Sequence, residues 1–183
     1  MSLPVPVPVS GRIVLAFFII TQVVYLVMVL VTLPHLRDLS GGMDAFDMLP
    51  GGYGFDDATR FLSAIGAEGR SYYLGRQIPL DMVYPGLFAI SYALIWKWLL
   101  AKAIGLPAML GTVMFLPMFA GLADYAENAG IVAMLIKFPD LPEILVAMAS
   151  TFTIIKAVSS TLFFVALVGL ILVVTIQKVR NKS

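Results

Sequence analysis

The residues best placed for chemistry are three polar side chains inside a long apolar stretch. Glu127 and Asn128 follow Asp124 by three and four positions, and residues at these spacings share one face of a helix. Two carboxyl groups on one face can share a proton, or act as an acid and a base. Asp124 and Glu127 are therefore candidate catalytic residues, and Asn128 is a candidate ligand-binding residue.

Lys156 is the candidate partner of these carboxylates. It lies in the last apolar stretch, with hydroxyl side chains three and four positions away at Thr153, Ser159 and Ser160. Charged groups inside apolar helices are costly and face other helices or a wet cavity. Antiparallel neighbours would therefore bring Lys156 within reach of Asp124 or Glu127. Two interpretations stay open: a buried ion pair that fixes the register of two helices, which we favour, or a functional site whose carboxylates handle protons.

The loop between the first two apolar stretches is expected to contain short helices. Apolar residues recur at helical spacing from Ala58 to Ile65. This pattern predicts a helix with Asp57 as its N-cap and Gly66 as its stop. A second short helix is expected from Glu68 to Gln77.

The second of these loop helices would carry two arginines. Arg70 and Arg76 can bind an anionic headgroup through paired hydrogen bonds. They can equally pair with the loop's aspartates or with Asp124 and Glu127, which we favour. The candidate ligand-binding residues of this region are Arg70, Tyr73, Arg76 and Asp81.

The side chains that the chain lacks exclude several kinds of site. It has no cysteine, and His35 is its one histidine. A thiolate nucleophile, a haem held by two histidines of this chain and a zinc site built on several histidines are therefore excluded. The glycine-rich segment from Gly41 to Gly54 has neither the ligand spacing of a calcium loop nor the sequence of a phosphate loop. We predict no metal site, and the cofactor stays unknown.

Length and composition indicate a membrane protein. The chain has 183 residues, of which 60% are hydrophobic and 13% charged, and its mean hydropathy is +0.96. A span of about 20 apolar residues crosses a bilayer core, and such stretches cover residues 13–34, 82–101, 108–136 and 144–176. We therefore predict an all-α, integral membrane bundle of four transmembrane helices, with an extracytoplasmic loop at 35–81.

Prolines and one aspartate add local expectations. Pro4, Pro6 and Pro8 predict an extended leader before the first span. Asp81 is expected as the N-cap of the second span, and Pro117 is expected to kink the third.

The distribution of charge predicts an orientation. Basic residues without acidic neighbours mark one side of the four-span arrangement: Arg12, Lys97, Lys102, Lys178, Arg180 and Lys182. The positive-inside rule places this side, with both termini, in the cytoplasm. The 35–81 loop then faces outward, and the bacterial inner membrane is the expected location. The net charge of +1 gives no indication of a nucleic-acid partner.

Short motifs in the middle of the chain resemble those of a bacterial family. They are Gly52-Tyr-Gly, Ile65-Gly-Ala-Glu-Gly-Arg70, Tyr73, Asp81 and Pro85, followed by Asp124-x-x-Glu-Asn128. With them, residues 50–130 are similar to small, uncharacterised four-helix membrane proteins of bacteria. The resemblance brings no activity or cofactor. It implies that Arg70, Asp81, Asp124, Glu127 and Asn128 belong to one unit.

Two functions stay open. The first, which we favour, is a non-catalytic subunit, assembly factor or scaffold whose outer loop and polar cluster engage a membrane-protein partner or a second copy of the chain. The alternative is an enzyme or binding protein for a lipid, quinone or other amphiphile at the outer leaflet. There Asp124 and Glu127 would handle protons, and Lys156, Arg70 and Arg76 would hold an anionic headgroup.

Overall fold

The structure, a computed structural model, describes residues 9–181 of the chain, and the regular elements within this range are all helical. The predicted leader at Pro4, Pro6 and Pro8 lies outside the described residues, as does Lys182. The long and medium helices of the described range are α1 (Gly11–Leu39), α2 (Phe55–Ala64), α3 (Gly66–Leu100), α4 (Phe115–Lys137) and α5 (Glu143–Arg180). Short 3₁₀ turns cover Phe46–Met48 and Ala108–Met114.

Four helical segments of the described chain are long and apolar enough to cross a membrane. They are α1, α3, α5 and the stretch Ala108–Lys137 that contains α4. A hydrocarbon core of about 30 Å requires about 20 residues of helix, and each segment exceeds that length. For residues 9–181, the prediction of an all-α architecture with four such helices is confirmed.

Helix α3 begins well before the predicted second span. It runs without interruption from Gly66 to Leu100, so the separate helix expected from Glu68 to Gln77 is the first part of α3. The prediction that Asp81 caps a helix N-terminus was wrong, because Asp81 lies inside α3. Pro79 does not end the helix, since a wide π-helical turn at Tyr73–Gln77 precedes it.

The same arrangement of π turn and proline occurs in α1. Its π turn covers Met28–Thr32, and each of the two π turns ends two residues before a proline, Pro34 or Pro79. Proline lacks an N–H, and its ring clashes with the carbonyl four residues earlier. A wider turn at that point lets the helix continue. For this reason the first helix passes residue 34, where its span was predicted to end, and reaches Leu39.

Helix α2 begins two residues before the predicted N-cap. Gly54 is its N-cap, and Asp57 accepts a hydrogen bond of 3.1 Å from the Gly54 N–H. The assignment of Asp57 as N-cap was therefore wrong, although its carboxylate does accept a hydrogen bond from the backbone N–H of the true N-cap. Gly66 adopts φ 64° and turns the chain from α2 into α3.

Pro117 lies in the first turn of α4. The first N–H groups of a helix have no partner within the helix, so a proline there removes no hydrogen bond. The kink expected inside the third span is replaced by a change from 3₁₀ to α geometry at Phe115.

The long helices form a curled row. Helix α1 packs along α3, α3 along α4 and α4 along α5, and α3 also contacts α5. Gly121 permits the close approach of α4 to α3, because a Cβ at this position would come within 2.9 Å of the Pro85 carbonyl oxygen. Helices α1 and α5 are the outer members of the row.

The apolar core has two parts. Residues 40–54 are called the 40–54 segment. One part of the core lies at the end of the helices that carries this segment, and it includes Leu36, Phe46, Leu62, Tyr73 and Ile131. The other part surrounds Trp96, Phe163, Leu167 and Leu170, towards the basic end of the helices. The buried polar groups of the candidate site lie beside the first part.

Candidate functional site

A cavity of about 260 Å³ lies between α1 and α5, with α3 and α4 behind it and the 40–54 segment at one end. Its walls are largely apolar and aromatic and include Tyr25, Met28, Tyr84, Phe88 and Phe164. Its polar lining consists of Asp47, Asp81, Asp124, Thr153, Lys156 and Ser160. An apolar cavity with a few converging polar groups is the usual form of a small-molecule site.

Lys156 joins α5 to α4 through two carboxylates, and we call these three residues the clamp. The Lys156 Nζ lies 3.2 Å from Oδ1 of Asp124 and 2.5 Å from Oε2 of Glu127. The Glu127 side chain is fully buried, while those of Asp124 and Lys156 are 7% and 18% exposed. Thr153 donates a hydrogen bond of 2.8 Å to Oε1 of Glu127. Both oxygens of Glu127 and the ammonium of Lys156 therefore have partners.

Asp47 and Asp81 form a second acidic group, which we call the acid pair. Their carboxyl groups lie close together, and the Tyr73 hydroxyl donates a hydrogen bond of 2.7 Å to Oδ2 of Asp47. Asp81 is 2% exposed. Oδ1 of Asp47 and Oδ2 of Asp81 are buried and find no donor among residues 9–181. Two carboxyl groups that lie close together in a largely buried site need a proton or a cation to offset their repulsion.

Asn128 holds the backbone of Asp81 from a position outside the cavity lining. Its Nδ2 donates a hydrogen bond of 2.9 Å to the backbone carbonyl of Asp81. Asn128 is fully buried and does not line the cavity. This candidate ligand-binding residue thus forms a structural hydrogen bond between α4 and α3.

The two candidate arginines lie away from the cavity. Arg70 donates a hydrogen bond of 2.8 Å to the Leu62 carbonyl, and its guanidinium lies 4.6 Å from the ring centre of Phe138. Arg76 is exposed. Neither arginine lines the cavity or pairs with the clamp carboxylates. The structure therefore brings Tyr73 and Asp81 to the site and leaves the arginines outside it.

Sequence reasoning missed Asp47. The residue lies in the glycine-rich segment from Gly41 to Gly54, for which the sequence predicted no metal site. Its neighbour Phe46 is 1% exposed and packs against the rings of Phe61 and Tyr73, with centroids 5.1 and 6.3 Å away. A bulky apolar residue within an acidic, glycine-rich segment was the signal that could have located Asp47.

Tyr53 fixes the 40–54 segment to α5. Its backbone N–H donates a hydrogen bond of 2.8 Å to Oγ of Ser150. Gly52 permits this approach, because it has φ 81° and a Cβ there would come within 2.6 Å of the same Oγ. Burial raises the pKa of the Tyr53 phenol above its ordinary value of 10.0, and the nearby charge of Glu127 raises the pKa further.

The residues that the structure describes contain no group of three or more histidine, aspartate and glutamate side chains arranged to hold a metal ion. The acid pair and the clamp together place four carboxyl groups around one lysine. What this arrangement can do chemically is bind a positively charged or proton-donating group beside an apolar surface.

Comparisons with known proteins gave no match. No family model, no curated protein and no solved structure matches the chain. The fold and the cavity define a helical protein with four potential spans and an acidic, partly apolar site.

Proposed function

We propose that the protein is an integral membrane protein that binds an amphiphile from the outer leaflet, with the ligand's headgroup at the acid pair. Four segments of suitable length and apolarity support membrane insertion. So do apolar side chains on the outer helix surfaces: Leu30, Leu122 and Val165 are 68%, 66% and 68% exposed. Continuous apolar surface of this kind is unfavourable in water and favourable in lipid.

The location of the cavity supports entry from the outer leaflet. The 40–54 segment covers one end of the cavity, and basic residues without acidic neighbours, namely Arg12, Lys97 and Lys178, lie towards the opposite end of the helices. The positive-inside rule assigns those residues to the cytoplasm. A ligand would then enter sideways, between α1 and α5.

The composition of the cavity is the observation that carries the proposal. Aromatic and aliphatic walls from α1, α3 and α5 meet the carboxyl groups of half-buried Asp47 and buried Asp81 in one space. At about 260 Å³ it is slightly smaller than the common range of about 300–1,000 Å³ for ligand pockets. It would therefore hold a headgroup and the first part of a tail, and the remaining tail would extend towards lipid.

The roles within the site differ from those expected from the sequence. Lys156 holds both Asp124 and Glu127, so the proposal assigns these carboxylates to the clamp. The acid pair takes the proton-handling and ligand-binding role instead, because both residues line the cavity and each has one buried carboxyl oxygen without a donor among the described residues.

A cavity-filling variant tests this proposal. Ala157 lines the cavity on α5, whereas Ala147 is exposed on the same helix. Native mass spectrometry of the gently solubilised wild type, Ala157→Phe and Ala147→Phe would detect retained small molecules. We expect the wild type and Ala147→Phe to carry a defined molecule that folded Ala157→Phe has lost. An empty wild type, or equal occupancy in Ala157→Phe, would overturn the proposal.

A second candidate function is a non-catalytic subunit or scaffold. The clamp favours it, because a lysine with two carboxylate partners between packed helices is what a structural ion pair requires. A protein partner that remains bound to both Ala157→Phe and Ala147→Phe, with no small molecule in any sample, would support this function over amphiphile binding.

A further inference from the structure

The charges around the cavity do not balance. Four carboxyl groups from Asp47, Asp81, Asp124 and Glu127 surround a single ammonium, that of Lys156, which is in contact with two of them. If all were ionised, negative charges would exceed positive ones by three. Buried charges are stable only when they are paired or neutralised. The imbalance is concentrated at the acid pair, whose members form no ion pair with a basic side chain of residues 9–181.

The other basic residues near this end of the described chain are engaged elsewhere or, like exposed Arg76 and Lys137, do not line the cavity. Arg37 pairs with Asp44 at 2.9 Å, and Arg60 pairs with Asp57 at 3.3 Å. Arg70 binds a backbone carbonyl. The missing partner of Asp47 and Asp81 therefore does not come from residues 9–181. It must be a proton or an external cation.

The walls beside the acid pair suit a cation that carries an apolar tail. Tyr25 and Tyr84 lie with ring centroids 5.7 Å apart, and Tyr84 lies 5.9 Å from Phe88. All three side chains line the cavity. Aromatic faces attract ammonium groups and also exclude water from an alkyl chain. A hydrated metal ion would gain nothing from such walls.

We propose that the ligand is an amphiphile with a protonated amine headgroup, which docks beside the Asp47 and Asp81 carboxylates and donates N–H hydrogen bonds to their carboxyl oxygens. The inference rests on the proposed amphiphile-binding function and specifies its ligand class. An alcohol headgroup leaves the carboxylates uncompensated, and an anionic headgroup adds to the repulsion. A quaternary ammonium supplies charge but no N–H donor.

A headgroup series on the wild-type protein tests this inference without mutation. The probes share a twelve-carbon tail: dodecylamine, dodecanol, dodecanoic acid and dodecyltrimethylammonium. Native mass spectrometry in mild detergent would follow the one-to-one adduct as each probe is titrated. We expect dodecylamine to reach half-occupancy at a concentration lower than that of dodecanol by on the order of tenfold. Dodecyltrimethylammonium should be intermediate, and dodecanoic acid weakest.

The outcomes distinguish a preference for an amine headgroup from amphiphile binding in general. Equal binding of amine and alcohol would overturn the amine inference and leave the amphiphile site intact. A series in which no probe forms a one-to-one adduct would overturn the proposed function as well. Propylamine has the same headgroup with a short tail, and it distinguishes an amphiphilic amine from a water-soluble one. If propylamine binds as tightly as dodecylamine, the ligand is a soluble amine and the proposal of an amphiphilic ligand is contradicted.

Variants locate the headgroup. Asp81→Asn and Asp47→Asn each remove one carboxylate, and Asp38→Asn removes an exposed one as the matched control. In both acid-pair variants we expect the half-occupancy concentrations of dodecylamine and dodecanol to differ by no more than about twofold. Dodecanol should bind these variants as it binds the wild type, and Asp38→Asn should keep the wild-type preference for dodecylamine. An amine preference that persists in folded Asp81→Asn and Asp47→Asn would overturn the assignment.

Discussion

The Tyr73 hydroxyl donates a hydrogen bond of 2.7 Å to Oδ2 of Asp47, and this bond joins the 40–54 segment to the long helix α3. Tyr73 is fully buried and belongs to the π turn that precedes Pro79. The wide turn and the phenol together hold the Asp47 carboxylate beside Asp81. The acid pair therefore depends on a contact between a loop and a helix that local sequence patterns do not encode.

Loss of the Tyr73 hydroxyl should weaken the attachment of the 40–54 segment. Tyr73→Phe leaves the partly buried Oδ2 of Asp47 without its donor, which costs about 1–3 kcal/mol of unfolding free energy. We expect faster amide hydrogen exchange in residues 44–54 and a lower midpoint in chemical unfolding. Tyr72→Phe, at the half-buried neighbouring position, is the control. Equal exchange rates in wild type and Tyr73→Phe would show that this bond does not hold the segment.

Removal of the clamp's cation should destabilise the fold. Lys156→Met leaves Asp124 and Glu127 buried without a positive partner, and breaking such a group typically costs about 3–5 kcal/mol. The double variant Lys156→Met/Glu127→Gln should recover part of the loss, because one uncompensated charge is gone. Thermal unfolding in detergent would measure both, with exposed Lys137→Met as the control. A single variant as stable as wild type would contradict a structural clamp.

The contact between the two π turns should matter for stability. Thr32 donates a buried hydrogen bond to Oε1 of Gln77, so Thr32→Val removes a donor while the shape stays similar. A loss of about 1–3 kcal/mol is expected, because the Gln77 carbonyl would be left unpaired. Thr151→Val is the matched control, since Thr151 is exposed and bonds only within α5. If both variants unfold at the same denaturant concentration, the buried contact contributes little.

Tyr53 should make the protein sensitive to alkali. Its pKa is raised in the folded state above the ordinary value of 10.0, so the unfolded chain releases this proton first as the pH rises. The unfolding free energy then falls with pH above 10, and the contribution is fully present below that value. Tyr53→Phe removes the group, and its stability should fall less steeply between pH 9 and 11 in parallel unfolding series. Identical slopes would contradict the assigned environment.

The sequence predicted the helices better than their ends. Long apolar runs were sufficient for four potential spans, and the spacing of Asp124, Glu127 and Lys156 was sufficient to place the clamp residues within reach of one another. The ends were misplaced at Pro34 and Pro79, because a π turn lets a helix continue through a proline and has no local sequence signature. Asp81 was consequently interpreted as a cap, although it is a buried member of the site.

The acid pair lay beyond local inference for a different reason. Asp47 reaches Asp81 only because Phe46 anchors the 40–54 segment in the core and Gly52 allows the close approach to Ser150. These are contacts between residues far apart in the chain. Neither helical periodicity nor charge distribution reports them, so the cavity could not be predicted before the structure was known.

The absence of cysteine from the sequence allows a direct test of the central claim that the cavity binds an amphiphilic amine at the acid pair. Ser160→Cys places a single thiol in the cavity lining, and Ala147→Cys places one on the exposed face of the same helix. The rate of maleimide labelling would be measured with and without dodecylamine. We predict that dodecylamine slows labelling of Ser160→Cys, leaves Ala147→Cys unchanged and gives no protection once Asp81→Asn is added. Equal rates with and without dodecylamine in Ser160→Cys, or protection that survives Asp81→Asn, would contradict the account.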